Sequence, residues 1–313
     1  MTEGTIIGLD IGGSNIKFTM LTPQNQKYLA RGRIVNAPYM KVELEYIVRR
    51  FLSEVPDEIS CVGVITSYPV SCGDQGKAVE ELVNLVHSVL PQKPVFFIDF
   101  EGQMWPLQKV MSVNPARFAM SNFYGSAYLG SKICDRGIIM DTGSTSTDIL
   151  LTADSHLTTI GKDTNTVRRN LTGEMTWTGV LFTPISSLTQ YIPLRGRWVK
   201  GNPRGGQTAD VYNVLYYEEM YNLLRMYGAK QKEKDAYALN IASLFLCDLG
   251  NADFVEIENT AHYVSVKHRE IVAESLLQVL STYNIDAKDT NYILMGIGKD
   301  ILLKKVLDLV DVD

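Results

Sequence analysis

The stretch Gly8-Leu9-Asp10-Ile11-Gly12-Gly13-Ser14-Asn15-Ile16-Lys17-Phe18-Thr19-Met20-Leu21 sets the reading of the whole chain. The apolar run Ile6-Ile7-Gly8-Leu9 reads as a buried strand that ends at Asp10. Gly12-Gly13-Ser14-Asn15 reads as a tight turn, because Gly and Asn tolerate the positive φ that a hairpin needs. A second strand, Ile16 to Leu21, leaves the turn. A carboxylate at a strand end beside small residues suits a metal-bound phosphate. Bare N–H groups close on phosphate oxygens, and the carboxylate holds Mg²⁺ directly or through water. Taken alone, the same residues also read as an ordinary Asp-x-Gly-Gly hairpin in which Asp10 merely caps the turn.

A second copy changes the weight of that reading. Ile138-Ile139-Met140-Asp141-Thr142-Gly143-Ser144-Thr145-Ser146-Thr147-Asp148-Ile149-Leu150-Leu151 repeats the order strand, Asp-x-Gly, small polar turn, strand. Asp141 falls where Asp10 falls, and Gly143 where Gly12 does. Two such hairpins predict two similar halves, each offering a phosphate-binding turn to a shared cleft.

Composition narrows the classes. A chain of 313 residues has room for two domains, and 45% hydrophobic with 21% charged residues is globular. A net charge of −5 without a long basic run argues against nucleic acid as a partner. The longest apolar runs fall far short of a bilayer span. The chain enters a strand within a few residues of its start, which argues against a signal peptide and for the cytoplasm. Cys61, Cys72, Cys134 and Cys247 form no C-x-x-C pair and read as scattered buried thiols. His262 and His268 lie six apart, not the three or four that share a helix face, so no zinc site is expected.

Outward from the first hairpin, Tyr28 to Val35 predicts a third strand, Val42 to Leu52 a helix, Ser60 to Thr66 a buried strand, Lys77 to Leu90 a helix and Val95 to Ile98 a strand. The order β-β-β-α-β-α-β is that of a ribonuclease-H-like half. The first half is read as 1–114 and the second as 115–313. Pro115 to Ile133, rich in Ala, Gly and Ser, predicts one crossing helix at 115–133. An insertion occupies 154–206, with Met175 to Phe182 read as a strand. Helices follow at Ala209 to Met226, Ala236 to Asp248 and Thr260 to Tyr283, then a strand at Tyr292 to Met295. A turn at Gly296-Ile297-Gly298 leads to a terminal helix at 300–310, expected to pack back on the first half. The expected fold is therefore α/β: two ribonuclease-H-like halves with mixed five-stranded sheets around a central cleft.

The two hairpins, the crossing helix and the closing Gly-Ile-Gly together resemble the acetate and sugar kinase, Hsp70 and actin superfamily. Within it, Gly173-Glu174-Met175-Thr176-Trp177-Thr178-Gly179-Val180, Thr183-Pro184 and Thr208-Ala209-Asp210-Val211-Tyr212 resemble the hydantoinase/oxoprolinase-related branch. The similarity there extends to a family with a methanofuran-biosynthesis enzyme, which joins an aminomethylfuran diphosphate to γ-glutamyltyramine and releases diphosphate. The chain departs from that pattern at Thr66-Ser67-Tyr68-Pro69, where the family carries Thr-x-Thr-x-Glu. It departs again at Phe182, in place of an Arg, at Asn122-Phe123, in place of Asn-Trp, and at Arg204-Gly205-Gly206-Gln207.

The resemblance implies a transferase that displaces diphosphate with the help of Mg²⁺, acting on a small phosphorylated substrate, with a homodimer as a further expectation. Asp10, Asp141 and Asp148 are the expected metal ligands, and Asp10, Asp148 and Glu174 the expected catalytic residues. Gly12, Gly13, Ser14, Asn15 and Lys17 form the first phosphate set; Gly143, Ser144, Thr145, Ser146 and Thr147 form the second. Lys17 reads equally as a phosphate partner or a solvated strand lysine, Glu174 as a substrate group or a loop cap, and Asp210 as a helix N-cap or a substrate group. Tyr68, Trp177 and Trp198 read as core aromatics, or as rings that stack on a substrate. Arg168-Arg169 reads as a charged surface turn, or as a diphosphate contact. ATP-dependent phosphoryl transfer is the alternative chemistry, with adenosine at Gly296 and Gly298. A nucleotide-binding scaffold without catalysis is the third reading.

Overall fold

The computed structural model describes residues 4–13, 15–24, 27–36, 41–55, 58–67, 73–154, 156–158, 166–226 and 229–312. These fall into two compact units, and the boundary lies between Gly125 and Ser126, eleven residues beyond the expected 114.

The first unit is built on β1 (Thr5–Ile11), β2 (Asn15–Gln24), β3 (Lys27–Asn36), α1 (Lys41–Leu52), β4 (Ile59–Thr66), α2 (Gln75–Val89), β5 (Val95–Ile98) and β6 (Met104–Pro106). Its sheet runs β3-β2-β1-β4-β5-β6, so β6 adds a sixth strand to the five expected. β1 is antiparallel to β2 and parallel to β4, the mixed arrangement expected of this α/β class. Alternation buries Ile7, Leu9 and Ile11 on one face of β1, as a half-covered strand requires. α1 closes on that sheet with Phe51 stacked on Phe18 of β2, ring centroids 4.1 Å apart. Asp74 caps α2 through the Lys77 N–H, and Val79, Leu82, Val83 and Val86 supply its apolar stripe.

The expected single helix over 115–133 is two elements. A 3-10 turn covers Pro115–Phe118, and α3 covers Asn122–Ile133. The break is made by Ser121, whose N–H donates to the Thr66 carbonyl at 2.9 Å while its Oγ accepts from the Thr66 N–H at 3.2 Å. Pairing with the end of β4 takes Ser121 out of helical geometry.

The second unit holds β7 (Gly137–Thr142), β8 (Thr147–Ala153), β9 (His156–Thr158), α4 (Thr166–Leu171), β10 (Met175–Thr176), α5 (Ile185–Leu188), β11 (Tyr191–Leu194), β12 (Arg197–Lys200), α6 (Thr208–Leu215), α7 (Tyr217–Met226), α8 (Lys234–Ala242), α9 (Phe254–Tyr283), β13 (Tyr292–Gly296) and α10 (Lys304–Leu309). The main sheet runs β10-β8-β7-β13, with β9 also on β8, and β11-β12 is a separate hairpin. The helix expected over Ala209 to Met226 is broken at Tyr216, which leaves α-helical geometry at ψ 55°. α9 starts at Phe254, earlier than the expected Thr260, because Asp253 and Glu256 form a reciprocal capping box. Val306 and Leu307 of α10 join Val272, Leu276 and Val279 of α9 in the core of this second unit. No helix among the described residues is long and apolar enough to cross a membrane.

Candidate functional site

Each unit presents its hairpin on the same backbone frame. In the first, Ile11 faces Ile16 and Asp10 faces Lys17; in the second, Thr142 faces Thr147 and Asp141 faces Asp148. The turns close alike: Gly12 N–H donates to Asn15 O at 3.0 Å, and Gly143 N–H to Ser146 O at 2.9 Å. Behind each turn, a residue one or two places beyond the parallel neighbour strand is tied to the strand end. Ser67 N–H donates to Ile11 O at 3.1 Å, and Gly298 N–H donates to Thr142 O at 3.1 Å. The repeat read from sequence is therefore a repeat of backbone hydrogen bonds.

At the first turn, Lys17 Nζ lies 2.6 Å from Asp10 Oδ2 across the strand pair, and the lysine side chain is 43% exposed. Lys17 thus forms a cross-strand ion pair at the turn while staying partly exposed. Asp10 Oδ1 is buried and has no hydrogen-bond partner among the described residues. A carboxylate oxygen in that condition fits a cation that brings its own charge. Gly12 sits so close to Asn15 that a Cβ would fall 2.8 Å from the Asn15 carbonyl. Asn15 is nearly buried. Gly13 is half-buried at the tip. Ser14 lies outside the described residues, as do Tyr68 and Pro69 of the departure after β4 and Cys72. At the departure's start, Thr66 is fully buried with its hydroxyl on Ile11 O at 2.7 Å, which binds the end of β4 to the end of β1.

At the second turn the charges are settled differently. Asp141 Oδ2 accepts from Ser126 Oγ. Asp148 Oδ1 takes a hydrogen bond from Arg169 Nη2 at 2.5 Å, and the arginine side chain is only 2% exposed. Arg169 on α4 is therefore not part of a surface turn; it is a buried counter-charge for Asp148. Glu174 is fully buried, with Thr172 Oγ1 at 2.9 Å from Oε2 and Tyr283 OH at 3.0 Å from Oε1. Both oxygens serve the interior, and Glu174 holds the entry to β10 against α9.

The expected strand over Met175 to Phe182 ends at Thr176, because the chain turns to close on the second hairpin. Thr147 Oγ1 donates to Thr178 O at 2.7 Å, and a Cβ on Gly179 would overlap the backbone of Ser144 and Thr145. Leu181 and Phe182 N–H groups then donate to Ser144 O at 3.0 and 2.9 Å. Thr147 and Ser144 are buried by this clamp, while Gly143, Thr145 and Ser146 stay partly open. Gly296, with φ +79°, turns directly against Asp141 and Thr142. A Cβ on Gly298 would meet the Thr142 side chain at 2.5 Å. The closing Gly-Ile-Gly thus seals the base of the second hairpin.

Other expectations move. Asp210 is the third residue of α6, not its N-cap: its Oδ2 accepts from Gln207 N–H at 2.7 Å and its Oδ1 from Asn240 at 2.8 Å. Burial pushes its carboxyl above the usual range. Trp177 and Trp198 are exposed rather than core, at 45% and 63%. Cys61, Cys134 and Cys247 are half-buried rather than buried. Sequence reasoning missed the pair Tyr212 OH and His268 Nδ1, 2.9 Å apart inside the unit. Burial holds the His268 imidazole down to about 3 and pushes the Tyr212 phenol up. The sequence signal was there, since His268 and Val272 lie four apart on the buried side of α9. Among the described residues no group of three or more His, Cys, Asp or Glu converges as a metal cage. Magnesium needs no such cage, because it keeps waters and takes one or two carboxylates together with phosphate oxygens.

The chain is similar to several known proteins. A family model described as hydantoinase/oxoprolinase matches residues 64–309. A curated relative from Methanocaldococcus jannaschii, (4-{4-[2-(gamma-L-glutamylamino)ethyl]phenoxymethyl}furan-2-yl)methanamine synthase, is 26% identical over 310 residues, 97% of this chain and 88% of the relative. The solved ethanolamine utilization protein EutJ of Carboxydothermus hydrogenoformans is 14% identical with a TM-score of 0.49, over 99% of this chain and 83% of that one. Component A of the (R)-2-hydroxyglutaryl-CoA dehydratase of Acidaminococcus fermentans is 11% identical with a TM-score of 0.46, over 99% and 90%.

Proposed function

Because this chain belongs to the hydantoinase/oxoprolinase family, and is an enzyme, we propose that it is a coupling transferase that joins a phenolic acceptor to an aminomethylfuran-type diphosphate. One observation carries this reading: the similarity to the synthase spans 97% of the chain. The relative's name describes a product in which a phenoxy oxygen is bound to a furanylmethyl carbon. In the proposed reaction the bond from that carbon to the diphosphate oxygen breaks, and its electron pair leaves with diphosphate. The acceptor's phenol oxygen forms the new bond, and its proton is released.

The chain's own groups meet the charge that develops on the leaving diphosphate. Each turn by itself has groups that would receive an oxyanion: the Gly13 amide at the first, and the Thr145 amide with the Thr145 and Ser146 hydroxyls at the second. Lys17 supplies a positive charge beside the first turn. Asp10 would hold Mg²⁺ at the first turn through its unpartnered oxygen, and the metal bound there would neutralise phosphate charge; Asp141 stays a proposed ligand at the second turn. Asp148 leaves this proposed set, because Arg169 already neutralises it.

The reading is tested by supplying the full chain with Mg²⁺, an aminomethylfuran diphosphate and γ-glutamyltyramine, without ATP. Diphosphate release together with an ether product of the summed mass is the expected result. Formation of ADP from ATP, with no ether product under either condition, overturns it in favour of phosphoryl transfer.

A further inference from the structure

A cavity of about 370 Å³ lies in the second unit, away from the hairpin turn itself, walled by α5, the start of β11, the end of β12 and the loop that follows. That volume is enough for a small organic molecule. Its inner wall is apolar: Ile185, Ile192 and Leu244 are each at most 2% exposed. Its rim is polar. Most rim groups are spent on the frame: Ser186 Oγ donates to Pro203 O, Thr189 Oγ1 to Tyr191 O, and Asn202 Nδ2 to Ser243 O. Two are not. The Lys200 ammonium has no ion pair, and the Gln190 amide no side-chain hydrogen bond, among the described residues. A cation and an amide beside an apolar wall form a receptor for a carboxylate on an apolar body.

The cavity is tied to the second turn through its own chain. Gly179 closes on Ser144 and Thr145, Phe182 N–H reaches Ser144 O at 2.9 Å, and Ile185 is already cavity wall. From Phe182 to Ile185 the chain can span at most about 11 Å. Phe182, 40% exposed, stands between them in the chain and offers an aromatic face on the way.

We propose that this cavity binds a small molecule whose carboxylate ends a short methylene stem and, resting on the transferase reading, that this is the α-carboxylate of the acceptor's glutamyl end, with its two methylenes along the apolar wall and its α-ammonium toward solvent. Lys200 pairs with the carboxylate, and the acceptor's phenol is thereby aimed toward the second turn. Gly201 gives the means to close the site without strain. A Cβ there would meet Ile192 at 3.6 Å and Leu244 at 3.8 Å, which is ordinary contact, so longer side chains at this position fill the cavity.

The test titrates the full chain, without diphosphate, with γ-glutamyltyramine and with the 4-aminobutanoyl amide of tyramine, which lacks only the carboxylate. Lys200→Met is expected to weaken γ-glutamyltyramine at least about tenfold while leaving the carboxylate-free amide within about twofold, and Lys200→Arg to restore most of the loss. Gly201→Leu should weaken γ-glutamyltyramine to a similar degree. Unchanged binding of Mg²⁺-diphosphate by each variant certifies its fold. Wild-type turnover with an unaltered acceptor KM in both Lys200→Met and Gly201→Leu overturns the cavity assignment and leaves the transferase standing. Lys200-dependent binding without any ether product supports the cavity and sinks the transferase. Failure of γ-glutamyltyramine to bind the wild type at millimolar concentration overturns the assignment as well.

Discussion

The two hairpins share a backbone and differ in how they handle charge. At the first turn a strand neighbour, Lys17, meets Asp10 where solvent still reaches, and one carboxylate oxygen is left over. At the second turn two aspartates face each other, and a buried arginine from the insertion, 21 residues along the chain, answers one of them. A half-exposed pair adds little to stability and stays available to a ligand. A buried pair adds little by existing, yet its rupture is expensive because it strands a charge in the interior. The difference supports the proposed metal role of Asp10 and a structural role for the Asp148–Arg169 pair.

The sharpest way to break that comparison is Asp148→Ala, which strands Arg169. Urea unfolding is expected to show a loss of about 3–5 kcal/mol; a loss under about 1 kcal/mol would mean that the arginine is hydrated and the contrast false. Next in size is acid. His268 is neutral in the fold with its pKa held near 3, so its contribution is fully present above the ordinary histidine value of about 6.5 and is lost as pH falls from there toward 3. The slope is at most about 1.4 kcal/mol per pH unit. His268→Gln, which keeps an amide for Tyr212, should flatten that part of the stability curve; an unchanged slope would place the acid sensitivity elsewhere.

Smaller in stability and larger in function is Asp10→Asn. Unfolding free energy is expected to move by less than about 1 kcal/mol, while Mg²⁺-dependent diphosphate affinity falls at least about tenfold, or ~1.4 kcal/mol. A protein that loses several kcal/mol without metal would make Asp10 a structural cap. Smallest is Lys17→Met, expected to cost under about 1 kcal/mol in folding and to weaken diphosphate several-fold. Calorimetry with ATP-Mg on the wild type completes the set: binding tighter than diphosphate-Mg by more than about tenfold would show that a base is recognised.

The hairpins were legible in the sequence because each is local: strand, carboxylate, small turn and strand lie within fourteen residues of one another, and a repeat exposes the pattern. The first unit followed, since its strands and helices alternate with clear periods. The insertion was not legible in the same way. Arg169 is an arginine on a six-residue helix, and nothing nearby announces that its partner is Asp148 on another element. The strand expected over Met175 to Phe182 has good strand composition, but Gly179 is needed against the second turn and tertiary packing overrides propensity. The helix expected over 115–133 fails at Ser121 because Thr66, 55 residues earlier, claims its polar groups. In each case the missing information was a long-range partner.

The paired closing bonds at Gly12 and Gly143, with the braces at Ser67 and Gly298 behind them, also bear on time rather than space. Amide hydrogens locked in such bonds exchange with solvent only when the turn opens. Deuterium should therefore enter the Gly12, Gly143, Ser67 and Gly298 amides slowly in the unliganded protein. A ligand that meets turns already in place loses little binding free energy to ordering them.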